Sequence, residues 1–390
     1  MAALDREALL ARAEALIPVL RERVPEAEAL RRIPDESIAD LVKSGLMRAT
    51  LPARLGGSEA DYRTIMEIVA LLSRGCASTG WVYCNLASCT FKLALWPDQA
   101  QDEIWDADKD ALLTGNLIFP CGKAKRVDGG YRLSGRWPFG SGIDHACANF
   151  FAAMVVDKEP QEFRILLVPK GDYTILDTWH ASGLRGTGSN DAAVDDVFVP
   201  EHRTIDAAET RHGAAPGNAV NTGPVYRLPL FAMFFTWVGA VVLGIAEAAV
   251  DGYVGATRTR AAHYSGQRLA ELGTIHVKIA EARAAVATAR RIYLGNCDAA
   301  TAIAEGGALP DAETRARYRA EGAYAAKLCC QAVDMITAAS GGGGVYDRNP
   351  LSRAFRDIHA GSAHITQTWD PNAVTYGRLS LGLETDNPLL

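Results

Sequence analysis

The 390-residue chain has no run of apolar residues long enough to be read as a membrane span. Its longest, Leu230 to Ala246 (LFAMFFTWVGAVVLGIA), falls just short of that length and leads into an alanine-rich helical region, the pattern of a core helix. Excess positive charge is also missing. The net charge is −6, no basic stripe or aromatic-interleaved groove appears, and nucleic acid is excluded as a main partner. The eight cysteines include no CxxC pair and Cys329 and Cys330 are adjacent, which fits reduced thiols in a cytoplasmic protein better than a disulfide frame or zinc site. No GxGxxG stands between a strand and a helix, and GxxxxGK[ST] and GxSxG are absent, so Rossmann, P-loop and serine-hydrolase sites are unsupported. No repeat of 20–50 residues is visible.

What remains is an ordinary globular composition, 48% apolar and 22% charged, on a chain too long for one small core. The start, MAALDREALLARAEALIPVLRERV, is an amphipathic helix containing acids, unlike a signal or transit peptide. Helical spacing continues to about residue 112, with Ser58 or Asp61 as caps for the helix after Gly56-Gly57 and a further helix from Ser78-Thr79-Gly80-Trp81. From 113 the period changes to short β-branched and aromatic runs separated by turns such as Asp128-Gly129-Gly130, predicting an antiparallel β barrel or sandwich. Residues 207–224 read as a connecting loop. Three alanine-rich helical stretches (Leu230 to Arg260, Gln267 to Glu305, Pro310 to Ser340) and a fourth after Asn349-Pro350 predict a four-helix bundle. The expected domains are therefore 1–112 (helical), 113–218 (β) and 219–390 (bundle).

Three segments could carry chemistry. GRWPFGSGIDHA offers the flat faces of Trp137 and Phe139 and the hydrogen bonds of Ser141, a set suited to a heteroaromatic ring. SGLRGTGSNDAAVDDVFVP puts Arg185, Thr187, Ser189 and Asn190 on a glycine-broken loop that could hold phosphate or polar atoms. GGGGVYDRNPLSRAFRDIHAGSAH combines bare backbone, cations, Asp357, His359 and His364. The two histidines are five apart, about 140° around a helix, and no Glu-x-x-His completes a di-iron set, so no metal site is expected.

The order α, β, four-helix bundle, with GRWPFGSG, GLRGTGSND...VDDVFVP and RNPLSRAFRD, resembles the acyl-CoA dehydrogenase fold over essentially the whole chain. Within it, the chain resembles the flavin-dependent aromatic monooxygenases of two-component systems. The dehydrogenases carry a catalytic glutamate after the R-D helix, whereas DIHAGSAHITQ has no acid between Asp357 and Asp370 and places His364 there.

The resemblance implies reduced FAD or FMN, with FADH2 preferred, delivered by a separate NAD(P)H-dependent reductase. It further implies O2, a C4a-hydroperoxyflavin shielded from water, and an electron-rich aromatic substrate. His364 becomes the candidate base, with His359 second, on the ground that imidazole titrates near operating pH. Ser141 would stand at the flavin N5 edge. Gly115, Asn116, Trp137, Phe139, Arg185, Thr187 and Ser189 would line the flavin. Arg258 (or Arg260) would meet its phosphate, and the Gly341–Gly344 turn, with Gly342 and Gly343 at its centre, would accept flavin from the same or a neighbouring subunit. Several relatives place a histidine where Cys89 stands here, with Asn85 and Ser88 as polar substitutes. Phe231, Phe234, Phe235 and Trp237 would form an aromatic substrate wall. A homotetramer is expected. The competing readings are an acyl-CoA dehydrogenase using an acid such as Glu247, an amino-sugar N-hydroxylase on the same fold, and a scaffold without flavin.

Overall fold

The computed structural model describes residues 3–211, 213–261, 266–385, 387 and 390. Six helices come first: α1 (Arg6–Glu22), α2 (Val24–Leu30), α3 (Asp35–Lys43), α4 (Tyr62–Gly75), α5 (Ala77–Leu93) and α6 (Asp98–Trp105). Asp61 is the residue that caps α4, its side chain accepting from the Thr64 N–H. α5 is buried on nearly every side, which is why it carries so little charge.

Eight strands follow in one sheet: β1 (Leu113–Asn116), β2 (Gly122–Val127), β3 (Gly130–Gly140), β4 (Ala148–Val155), β5 (Glu162–Pro169), β6 (Thr174–Leu176), β7 (Asn190–Pro200) and β8 (Thr204–Asp206). The path runs β6-β7-β3-β2-β4-β5-β8, with β1 beside β4. The expected antiparallel pairing holds for most of it, but β4 pairs in parallel with both β1 and β2, so the sheet is mixed. Hairpin-like turns in the sequence could not reveal those two non-consecutive pairings.

The bundle comprises α7 (Leu230–Thr257), α8 (Gly273–Glu305), α9 (Ala312–Ala339) and α10 (Pro350–Ser362), followed by a short α11 (Trp369–Ser380). Asn349 caps α10 by accepting from the Leu351 N–H, and Pro350 opens its first turn, as the Asn-Pro pair predicts. The apolar run is the core of α7, and 83% of its most hydrophobic window is buried inside the protein. Two cores result. One joins α4 and α5 to α7 and the bundle. The other lies within the sheet, around Trp137, Phe151, Tyr131 and Leu166.

Candidate active site

A bulge makes the site. The β3–β7 register shifts between Trp137 and Gly140, and Phe139 takes a left-handed φ of 67°. The kink sends the two aromatic residues to opposite sides. Phe139 is 61% exposed, while Trp137 is fully buried, its indole donating to the Ala152 carbonyl and packed on Phe151. Trp137 therefore belongs to the sheet's core and cannot line a flavin. Past the bulge the chain leaves the sheet, and Gly142 at φ 71° turns against Val82 of α5, where a Cβ would stand only 2.8 Å from Val82 Cγ1.

Ser141 is thereby pressed into the seam between α5 and the loop before β7. Its carbonyl accepts from Asn85 Nδ2 (2.7 Å) and Thr114 Oγ1 (2.7 Å). Its hydroxyl accepts from Trp81 Nε1 (3.0 Å) and meets Ser189 Oγ at 2.7 Å. Ser189 in turn meets Thr187 Oγ1 (2.7 Å), and Thr187 donates to the Leu184 carbonyl (3.0 Å). That last bond fixes the direction of the whole row. With the Thr187 proton committed to a carbonyl, Ser189 donates to Thr187 and Ser141 donates to Ser189. Ser141 Oγ is left with a lone pair and no free proton.

Trp81 links this row to the bundle, because its ring meets His364 edge-on at 5.8 Å. His364 lies just beyond α10, its Nδ1 2.8 Å from Thr366 Oγ1. Burial, with help from the positive charge of Arg319, pushes its pKa down to about 4. The imidazole is neutral at physiological pH, but the premise that it titrates there does not hold. His359 does not reach the site. It points outward from α10 to an exposed pairing with Asp334 (2.8 Å).

Other expected residues are distributed unevenly. Arg185 is exposed and makes no ion pair among the described residues, next to the buried Thr187 and Ser189. Asn116 is buried, with its amide engaged by Pro138 and Asn149, so only its backbone could meet a ligand. Gly115 is half-buried against Cys89. Phe235 and Trp237 are core residues, Trp237 donating to the Tyr62 carbonyl, while Phe231 and Phe234 are half-buried. Cys89 is fully buried, so of the three polar positions on α5 only Asn85 is even half-exposed. Glu247 is held by Arg290 (2.8 Å) between α7 and α8 and is no free base. Arg258 is exposed at the end of α7, and it is Arg260 that reaches the glycine turn, donating to the Ser340 carbonyl at 3.1 Å. Among the described residues no cluster of potential ligands could hold a metal.

Trp81 and Thr114 were not foreseen as site residues. The sequence signal was a tryptophan and an asparagine one turn apart on a helix with a single charged residue.

A flat ligand fits this arrangement: the row of buried hydroxyls from Ser141 to Thr187 is flanked in the chain by the exposed Phe139 ring and the exposed Arg185. Fold and site thus define a flavoprotein of acyl-CoA dehydrogenase architecture. Residues 7–105 match the acyl-CoA dehydrogenase N-terminal domain and residues 236–369 the C-terminal domain. The chain is 36% identical over 95% of its length, and 98% of the relative's, to the flavin-dependent monooxygenase oxygenase subunit HsaA of Rhodococcus jostii. It is 34% identical, over 96% of its length and 94% of the relative's, to the oxygenase component of an FADH(2)-dependent resorcinol hydroxylase of a Rhizobium strain. A solved structure, XiaF from a Streptomyces species in complex with FADH2 and glycerol, superposes with a TM-score of 0.93 at 30% identity, covering 99% of this chain and 98% of that one. The chain belongs to the flavin-dependent monooxygenase oxygenase subunits within the acyl-CoA dehydrogenase family, enzymes that use reduced flavin. The fold alone is shared with butyryl-CoA dehydrogenase, at 18% identity and a TM-score of 0.80.

Proposed function

We propose that this chain is the oxygenase component of a two-component system that hydroxylates an aromatic substrate, using FADH2 supplied by a separate NAD(P)H-dependent reductase. The observation that carries the reading is the directed row of hydroxyls. It presents Ser141 Oγ as an acceptor, the partner that the N5–H of reduced flavin needs and that oxidised flavin, with a bare N5, would not use.

Bound reduced flavin supplies the two electrons that activate O2, one oxygen atom going to the substrate and the other to water. The residues position and protect. Ser141, fixed by Trp81, Asn85 and Thr114, holds the N5 edge. Phe139 offers a face, the Gly115–Asn116 backbone the polar rim, and Thr187 and Ser189 keep the seam closed to water. Arg185 and, at the bundle end, Arg258 or Arg260 with Gly342 and Gly343 would meet the phosphates. A homotetramer would bring that last group to a neighbouring subunit's flavin. The division into 1–112, 113–218 and 219–390 makes the cleft the meeting place of three units.

His364 faces the substrate across Trp81. Its Nδ1 accepts from the Thr366 backbone N–H (3.3 Å) and lies 2.8 Å from the Thr366 hydroxyl, so in the neutral ring the proton sits on Nε2, which would donate a hydrogen bond to a phenolic oxygen of the substrate. With a pKa near 4 the ring stays neutral, and as a donor it would hold that oxygen in place and favour its ionised form, raising electron density in the substrate ring.

The test is anaerobic mixing with reduced FAD or FMN, followed by an oxygen pulse under stopped-flow observation. A transient spectrum distinct from both oxidised and reduced flavin is expected. It should be short-lived in Ser141→Ala, and in His364→Ala it should form normally without productive hydroxylation. Reoxidation at the rate of free flavin would sink the reading.

A further inference from the structure

Lys92 lies near the end of α5 and is only 2% exposed. A lysine on a core helix ordinarily extends its stem and carries its ammonium to water. This one turns back into the protein. Its Nζ donates to Ser88 Oγ (2.9 Å), approaches Cys89 Sγ (3.5 Å) and sits 5.0 Å from the centre of the Phe234 ring. Among the described residues no carboxylate pairs with it. The nearby thiols cannot supply a negative charge. Burial pushes Cys84 up to about 12 and also raises Cys89, the latter despite the opposing pull of Lys92 itself. A buried cation without an anion is strongly unfavourable, and a methionine would fill the same space with no such penalty. One good hydrogen bond and one weak one leave donor capacity unused on a group with three N–H bonds.

Its position connects it to the site. Trp81, Asn85, Ser88 and Lys92 recur at helical spacing along one face of α5. Trp81 and Asn85 hold Ser141. Because the Lys92 side chain folds back to the level of Ser88, its charge lies about 5 Å along the helix axis from Asn85. Phe234 of α7, half-buried, lies over the ammonium.

We propose that Lys92 binds an anionic group, a carboxylate, on the aromatic substrate, and so selects aromatic acids over neutral aromatics. This rests on the reading of the chain as an aromatic hydroxylase. The ring would lie between Ser141 and His364, its acid arm would displace Phe234 from Lys92, and the buried cation would gain its missing partner.

The experiment uses the protein loaded anaerobically with reduced FAD. It measures the binding of 4-hydroxybenzoate, 4-hydroxyphenylacetate and 3-(4-hydroxyphenyl)propionate, each against its own primary amide, so that shape is held nearly constant while charge is removed. At least one acid should bind about 10- to 100-fold more tightly than its amide, the range a charge-assisted hydrogen bond provides. In Lys92→Met and Lys92→Gln that ratio should fall to about one, with amide binding and the oxygen-pulse transient unchanged; the glutamine keeps a donor for Ser88 should the methionine not fold. No acid preference in the wild type, or a preference that survives both variants, overturns the proposal. Loss of the oxygen-pulse transient would instead sink the oxygenase reading and leave the acid-to-amide ratio as an independent result.

Discussion

Two glycine-bearing loops were expected at the site, and they use glycine for opposite reasons. In Gly183–Ser189 the space is full. A Cβ on Gly183 would stand 2.1 Å from the Arg356 carbonyl oxygen, and one on Gly186 would stand 3.0 Å from Ala27 Cβ. Buried Asp357 of α10 accepts the Leu184 N–H (2.7 Å), and the Gly186 N–H goes to Ser78 at the start of α5. In Gly341–Val345, by contrast, a Cβ on Gly341 or Gly342 would meet nothing within 4 Å, and one on Gly343 would meet only Arg260 Nη2 at 3.8 Å. Gly341, at φ 64°, has a backbone reason to be glycine. Gly342 and Gly343 have none among the described residues. Glycine in the first loop serves the fold. In the second it leaves the backbone bare.

The sharpest way to break the contrast is Gly183→Ala. The clash is with backbone, which cannot rotate away, so α10 must separate from the loop or the loop must unwind. A loss of at least about 3 kcal/mol in urea unfolding is expected, with loss of flavin binding in whatever remains folded. Tolerance of alanine there would mean that the loop and α10 are not locked together.

Asp357 adds a test with a sign. Burial raises its pKa from 3.8 to about 6, so the folded state favours the protonated acid. Its contribution to stability is present below pH 3.8 and lost as pH rises through 6, leaving an ionised buried carboxylate that costs about 2–3 kcal/mol at pH 7. Asp357→Asn keeps an oxygen for the Leu184 N–H and removes the charge. It should stabilise the protein by about 2 kcal/mol at pH 7 and by nothing measurable near pH 4, read from urea midpoints at the two values. Equal destabilisation at both would mean that the loop depends on the charge.

The same contrast explains what could be read from the chain beforehand. Long periodic helices, the change to β spacing at residue 113 and the capped start of α10 follow from local chemistry, and they were legible. Motif order singled out Ser141 and His364, and the structure puts Trp81 in contact with both. The direction in which Trp137 points was not, because a β-bulge reverses alternation and only the paired strand reveals it. The same limit hid Trp81, whose indole acquires its role only when the turn after β3 brings Ser141 against α5. His364 illustrates a third kind of limit. Its position could be inferred, but its pKa is set by burial and by Arg319 from another helix.

Gly342→Ala probes the second loop. With open space around it, the substitution should leave the unfolding midpoint within about 0.5 kcal/mol of wild type. If a flavin lies against that backbone, its dissociation constant should rise by about tenfold. An unchanged affinity would leave the open glycine surface without a ligand and remove the phosphate role from this end of the bundle.

The smallest effect should come from His359→Ala, and its smallness is informative. His359 shares a helix with Asp357, yet its ring faces outward, 43% exposed, and pairs with an Asp334 that is equally exposed. Exposed ion pairs contribute about 0–1 kcal/mol, since water and salt screen them. Stability should therefore change little, and turnover with reduced flavin should match wild type across pH 6–8, whereas His364→Ala should lose hydroxylation over the same range. If His359→Ala lost activity as well, the outward face of α10 would have to be part of a site shared between subunits. The division between an inward, chemical histidine and an outward, solvated one would then fail.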